Sequence, residues 1–170
     1  MKRSFLAILA LSGAVLLTHQ PAFAQDSSTQ AGATQNAQID QDITLLRKDI
    51  RSQKKQLIAA NVPLTDAEAQ AFWPVYDQYT AELVAINNDK YALIKEYAQN
   101  YGTMTDAQAD DWTQRLLKLD VNVAGLRQKY WPNFRKVLPA KKTALYIQVE
   151  RRAQALIDLQ ISSQVPLVQP

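Results

Sequence analysis

Residues 65–97 read TDAEAQAFWPVYDQYTAELVAINNDKYALIKEY. Within them Phe72, Tyr76, Tyr79, Leu83, Ile86, Leu93 and Tyr97 recur at intervals of 4-3-4-3-7-4, which is the rhythm of one face of an α-helix. Thr65-Asp66-Ala67-Glu68 ahead of the run has the form of a capping box, in which the threonine hydroxyl takes the amide of Glu68 and the glutamate reaches back. Asn100-Tyr101-Gly102 closes it, glycine being the residue that most readily leaves a helix in a left-handed conformation. One long amphipathic helix with both ends marked sets the class of the whole chain.

The neighbouring segments repeat the theme. Thr105-Asp106-Ala107-Gln108 is a second capping box, and Trp112, Leu116, Leu119, Val123, Leu126 and Tyr130 follow it at 4-3-4-3-4. Upstream, Ile39, Ile43, Leu46, Ile50 and Leu57 mark a helix ending near Ala60, before Asn61-Val62-Pro63. Downstream, Pro139 suits a first helical position, and Leu145, Val149, Ala153 and Leu156 form a fourth stripe. Seams spaced 3-4 pack helices lengthwise at shallow angles. The expectation is an all-α protein of four helices, near 39–60, 65–100, 105–137 and 140–160. Pro74 and Pro132 lie inside helical patterns, so each helix should bend there and the molecule should be elongated and curved.

The ends read differently. Met1-Lys2-Arg3, the apolar run Phe5–Leu17 and Ala22-Phe23-Ala24 make residues 1–24 a signal peptide, with cleavage after Ala24 and a periplasmic product. The apolar core is too short for an ordinary membrane span, and no Cys follows it to take a lipid, so no stable membrane insertion is expected. Residues 25–38, polar and small, are expected to be a disordered leader, 39–161 a single helical domain, and 162–170, with Pro166, a flexible tail. The only His, His19, leaves with the signal, and there is no Cys. That removes His- and Cys-based nucleophilic catalysis, thiol redox work and metal sites built on nitrogen or sulfur ligands. Asp110 and Asp111, adjacent on a helix, point about 100° apart and do not converge on a metal. Helix-terminal acids such as these, and Asp40 and Asp42, answer to the helix dipole. The reading is of a protein without catalytic activity, cofactor or metal.

Charge is unevenly placed. The formal +3 falls to +1 once Lys2 and Arg3 are gone. From Asp66 to Asp111 nine acids face only Lys90 and Lys95, whereas from Arg127 to Arg152 eight bases face only Glu150. A small net charge and export argue against nucleic acid as a partner. The basic segment holds the candidate contact surface: Arg127, Lys129, Tyr130, Trp131, Phe134, Arg135, Lys136, Lys141 and Lys142. Aromatics beside cations can hold apolar segments loosely while charge steers the approach. The same pattern is also what a helix with a buried aromatic face and a solvated basic face would show.

The two caps lie forty residues apart, and Leu64-Thr65-Asp66-Ala67-Glu68-Ala69 faces Met104-Thr105-Asp106-Ala107-Gln108-Ala109. Two helices can share a good cap by chance. The pair also resembles the twin LTxxQ motifs of the Spy/CpxP-type periplasmic chaperones and stress regulators. The motif positions fall on Leu64, Thr65 and Glu68, and on Met104, Thr105 and Gln108. The resemblance implies a thin, bent α-hairpin protein, an antiparallel homodimer, and a basic, partly apolar cradle that holds unfolded envelope proteins without ATP. A branch of that family senses heavy metals through His, Met or Cys, ligands that are nearly absent here. Two functions stay open: a chaperone for unfolded or partly folded envelope proteins, and a dedicated stress regulator or helical adaptor docking on one partner.

Overall fold

The computed structural model describes residues 26–169, so the signal-peptide reading of 1–24 lies outside the described residues. Four helices follow one another: α1 (Asp26–Asn61), α2 (Asp66–Asn100), α3 (Asp106–Val137) and α4 (Ala140–Ser162). Among the described residues there is no strand, and the all-α class stands. By internal packing the chain divides into two units, 1–46 and 47–170. In the first, the Gln38 amide donates to Asp42 one turn on, at 2.9 Å. The core and the sites described below lie in the second.

Both capping boxes form. At α2 the Thr65 hydroxyl accepts from the Glu68 amide at 3.3 Å, and Glu68 accepts from the Thr65 amide at 2.8 Å. At α3 the corresponding distances for Thr105 and Gln108 are 3.3 and 2.9 Å. Gly102 turns the chain between them at φ +79°, where any side chain would be strained. Thr105→Ala is expected to cost about 1 kcal/mol by orphaning a first-turn amide. It should show as a lower urea midpoint at unchanged slope.

The prolines do not end their helices. α2 continues through Pro74 and α3 through Pro132. Each proline frees the carbonyl four residues earlier, on Gln70 and Gln128. Both residues are exposed, so water can serve those oxygens.

α2 and α3 pack along the stripes read from sequence. Phe72, Tyr76, Tyr79, Leu83, Leu93 and Tyr97 of α2 are buried, as are Leu119, Leu126, Tyr130 and Phe134 of α3. Ile58 from the end of α1, Val62 just after it and Tyr146 from α4 complete a largely aromatic core. Phe134 is its hub, with ring centroids 4.5 Å from Tyr146, 5.6 Å from Phe72 and 6.0 Å from Tyr79.

Three expectations are corrected. Helix α1 begins at Asp26, so most of the expected leader, 25–38, is helical. The stretch is rich in Ala and Gln, good helix formers, and extending an existing helix avoids the nucleation cost that an isolated segment would face. The outer stripes hold only in part: Leu145 and Val149 pack against the core and Ala153 is buried, but other positions differ. Leu46 and Leu57 of α1 and Leu156 of α4 are exposed, whereas Lys54, Ile58, Thr143, Tyr146, Glu150 and Gln154, outside those stripes, turn inward. Finally, the segment after α4 is not free. The Tyr97 hydroxyl donates to the Pro166 carbonyl at 2.9 Å, and the Gln169 amide donates to the Tyr101 hydroxyl at 3.1 Å. The tail thus rests on the α2–α3 turn beside Met104.

Candidate functional site

The nine residues of the basic, aromatic segment part company in the fold. Tyr130 and Phe134 are core, and burial removes them from any contact surface. Three of the cations are engaged with carboxylates on other helices. Lys129 donates to Glu82 at 2.6 Å, Lys142 to Glu68 at 2.5 Å, and Arg127 to Glu150 at 3.4 Å. Lys129 and the Tyr130 hydroxyl hold the Glu82 carboxyl below its ordinary range, and Lys142 with the Thr65 amide does the same for Glu68. Arg135 donates to the Leu138 carbonyl at the C-terminus of α3, where a cation also suits the dipole. Only Trp131, Lys136 and Lys141 stay outward and uncommitted, Trp131 with 44% of its surface exposed.

The motif residues are structural in position. Thr65, Glu68, Thr105 and Gln108 are the caps described above. Leu64 packs against the core, and Met104 lines the small hollow under the tail.

Sequence reasoning missed a buried ionic cluster. Glu150 of α4 is 1% exposed, and Lys54 of α1 is 9% exposed. Lys54 Nζ donates to Glu150 Oε1 at 2.8 Å and to Gln154 Oε1 at 3.0 Å. The Tyr79 hydroxyl donates to the same Oε1 at 2.8 Å, and Arg127 Nε approaches Oε2. All four helices therefore meet on one carboxylate. Burial pushes the Glu150 carboxyl up, but Lys54, Tyr79 and Arg127 outweigh it and hold it below its ordinary value. Burial pushes the Tyr76 phenol up to about 12, and raises Tyr79 and Tyr146 as well, with the Glu150 charge adding to each. These phenols stay protonated; Tyr79 donates to Glu150, whereas the buried Tyr146 hydroxyl has no hydrogen-bond partner among the described residues. The one available signal was Glu150 itself, a lone acid among eight bases on a helix whose other acid, Asp158, comes two turns later.

Beside this cluster α2, α3 and α4 enclose a cleft of about 180 Å3, lined in part by Arg127 and Gln154. Among the described residues no three His, Cys, Asp or Glu side chains converge to hold a metal ion. No helix among them is long and apolar enough to cross a membrane. The chain matches no family model, no curated protein and no solved structure.

The outward faces carry what the core did not take. On α4, Arg152, Leu156 and Leu159 fall at i, i+4 and i+7, one stripe of the helix, and both leucines are 65% exposed. Arg151 and Arg152 have no ion-pair partner among the described residues. A stripe of large apolar groups next to uncompensated cations is costly to leave in water and suits contact with another chain.

Proposed function

We propose that this protein is a binding protein and not an enzyme: an ATP-independent, chaperone-like holder of unfolded or partly folded proteins of the cell envelope. The observation that supports the reading is the outward Arg152–Leu156–Leu159 stripe, with Trp131, Lys136 and Lys141 as further exposed groups of the same chemistry. Unfolded chains offer apolar segments and carboxylates, and such a surface attracts both without requiring a fixed sequence. Export is the second element of the proposal, resting on residues 1–24. The twin capped motifs are compatible with the chaperone resemblance.

Aggregation assays test it. The purified protein at equimolar ratio should suppress aggregation of several unrelated unfolded substrates. Suppression should weaken as salt rises, since exposed charges are screened over about 8–10 Å near physiological ionic strength. Leu156→Ser with Leu159→Ser alters exposed positions only, so helix content should hold while about tenfold more protein is needed for the same effect. Wild-type protein that protects no substrate sinks the chaperone reading. If envelope pull-downs then return one protein, the dedicated regulator or adaptor takes its place.

A further inference from the structure

The chain beyond α4 is held loosely against the turn between α2 and α3. The amides of Ser163, Gln164 and Val165 donate to Leu159, Ile161 and Ser162, and among the described residues backbone pairing stops there. Side-chain hydrogen bonds then hold residues 166–169. The Tyr97 hydroxyl donates to the Pro166 carbonyl at 2.9 Å, and the Gln169 amide donates to the Tyr101 hydroxyl at 3.1 Å. None of the four residues is buried: Leu167 is 87% exposed and Val168 49%. A segment with so few buried contacts opens at little cost in free energy.

The surface that receives it is more firmly built. Tyr97 is 3% exposed, and its ring lies 5.8 Å from that of Tyr101 and 5.0 Å from that of Trp112. The Trp112 indole N–H donates to the Leu93 carbonyl at 3.1 Å, which fixes the platform to α2. Aromatic-lined grooves are a recurring platform for extended, proline-containing segments. The Tyr97 hydroxyl points at a main-chain carbonyl, a group every polypeptide offers. Tyr97, Tyr101, Gly102 and Met104 leave a hollow of about 40 Å3 beside Val168 and Gln169. Val168 lines that space without filling it, so a longer apolar side chain there gains contacts that valine forgoes.

We propose that this turn is a docking site for an extended apolar segment of another polypeptide, of the Pro-x-Leu kind, and that residues 166–169 cover it in cis as a displaceable strap. Pro166 is the strap's proline, and leucine or methionine at the position of Val168 fits the hollow best. Three residues separate the end of α4 from Pro166, so the strap's effective concentration is on the order of millimolar. It therefore stays seated at weak intrinsic affinity, and a segment that fills the hollow displaces it. None of these residues belongs to the outward α4 stripe, so the proposal goes beyond client holding there and stands or falls separately.

Fluorescence polarisation of the full chain with a labelled peptide of residues 164–169 tests it. Val168→Asp in the protein unseats the strap by placing a charge against the hollow. That variant should bind the peptide saturably, with Kd in the range of about 0.1–1 mM, and wild type about tenfold more weakly, because its own strap competes. A peptide carrying Val168→Leu should bind about fivefold more tightly than the unaltered one. Adding Tyr97→Phe to the Val168→Asp chain keeps the ring, removes the donor and should weaken binding about fivefold. Adding Met104→Glu instead should abolish it while the circular dichroism spectrum stays helical. Absence of saturable binding to the Val168→Asp chain overturns the proposal, as does equal affinity in wild type or a Val168→Leu peptide that binds no better. A wild-type dimer that Val168→Asp dissolves overturns it in favour of a strap exchanged with a second copy. Peptide binding is read without any aggregating substrate, so failure here and failure of the chaperone reading are distinguishable.

Discussion

Glu150→Leu is expected to lower the free energy of unfolding by about 3–5 kcal/mol. The carboxylate is 1% exposed and accepts from Lys54 at 2.8 Å and from Tyr79 at 2.8 Å. Removing it strands Lys54 as a buried cation and leaves the Tyr79 hydroxyl without its acceptor. Lys54→Met in the same chain should recover part of the loss, because the uncompensated charge goes with the lysine. Urea unfolding of the two single variants and the double variant measures that coupling. Glu150 also predicts an acid dependence. Its partners depress its folded pKa below the unfolded value, so the group stabilises the fold above the ordinary glutamate pKa, about 4.3, and that contribution is lost as pH falls through the folded value. The cluster should therefore weaken below about pH 4 and not near neutrality. Glu150→Gln should flatten this part of the acid limb. A Glu150→Leu variant within about 0.5 kcal/mol of wild type would show that the cluster is not buried as described.

Phe134→Ala is expected to cost about 3–5 kcal/mol, the range for emptying an aromatic site in a packed core. The ring is 1% exposed and faces Tyr146 at 4.5 Å and Phe72 at 5.6 Å, so its loss leaves a cavity walled by other rings that cannot all collapse into it. Trp131→Ala, three residues earlier, should cost far less, within about 1 kcal/mol, because the residue is 44% exposed and belongs to no buried cluster. The contrast separates two roles that look alike in sequence. Loss of client binding in Phe134→Ala would follow loss of the fold, whereas loss in Trp131→Ala would follow loss of a contact. Thermal unfolding read alongside aggregation suppression distinguishes them. Equal stability of the two variants would contradict the aromatic core.

The candidate surface was only partly legible. Trp131, Lys136 and Lys141 face outward as a contact surface requires, but Lys129, Lys142 and Arg127 have partners on distant helices. Of those partners, Glu82 and Glu68 carry no mark in the chain that pairs them with these cations, and Glu150 stands out only as a lone acid among bases. Phe134 could have been placed correctly, since it extends the Leu119, Val123, Leu126, Tyr130 rhythm by one more step of four. Its neighbours Arg135 and Lys136 leave a surface reading open beside the buried one.

Helix positions, the two capping boxes and the Gly102 turn follow from local chemistry. Each depends on hydrogen bonds or dihedral preferences within a few residues, and the α2–α3 stripes follow from apolar spacing alone. The inward faces of α1 and α4 are another matter. Hydrophobic rhythm favoured Leu46, Leu57 and Leu156, whereas the fold turns Lys54, Glu150 and Gln154 inward and leaves those leucines in solvent. A buried charge is tolerable only when its partner is present, and Lys54 and Glu150 are 96 residues apart. That compensation exists only once the helices have met, so the stripe Leu145, Val149, Ala153 could be read from sequence, but tertiary packing decides that Lys54, Glu150 and Gln154 join the interior and that Leu46, Leu57 and Leu156 stay on the surface.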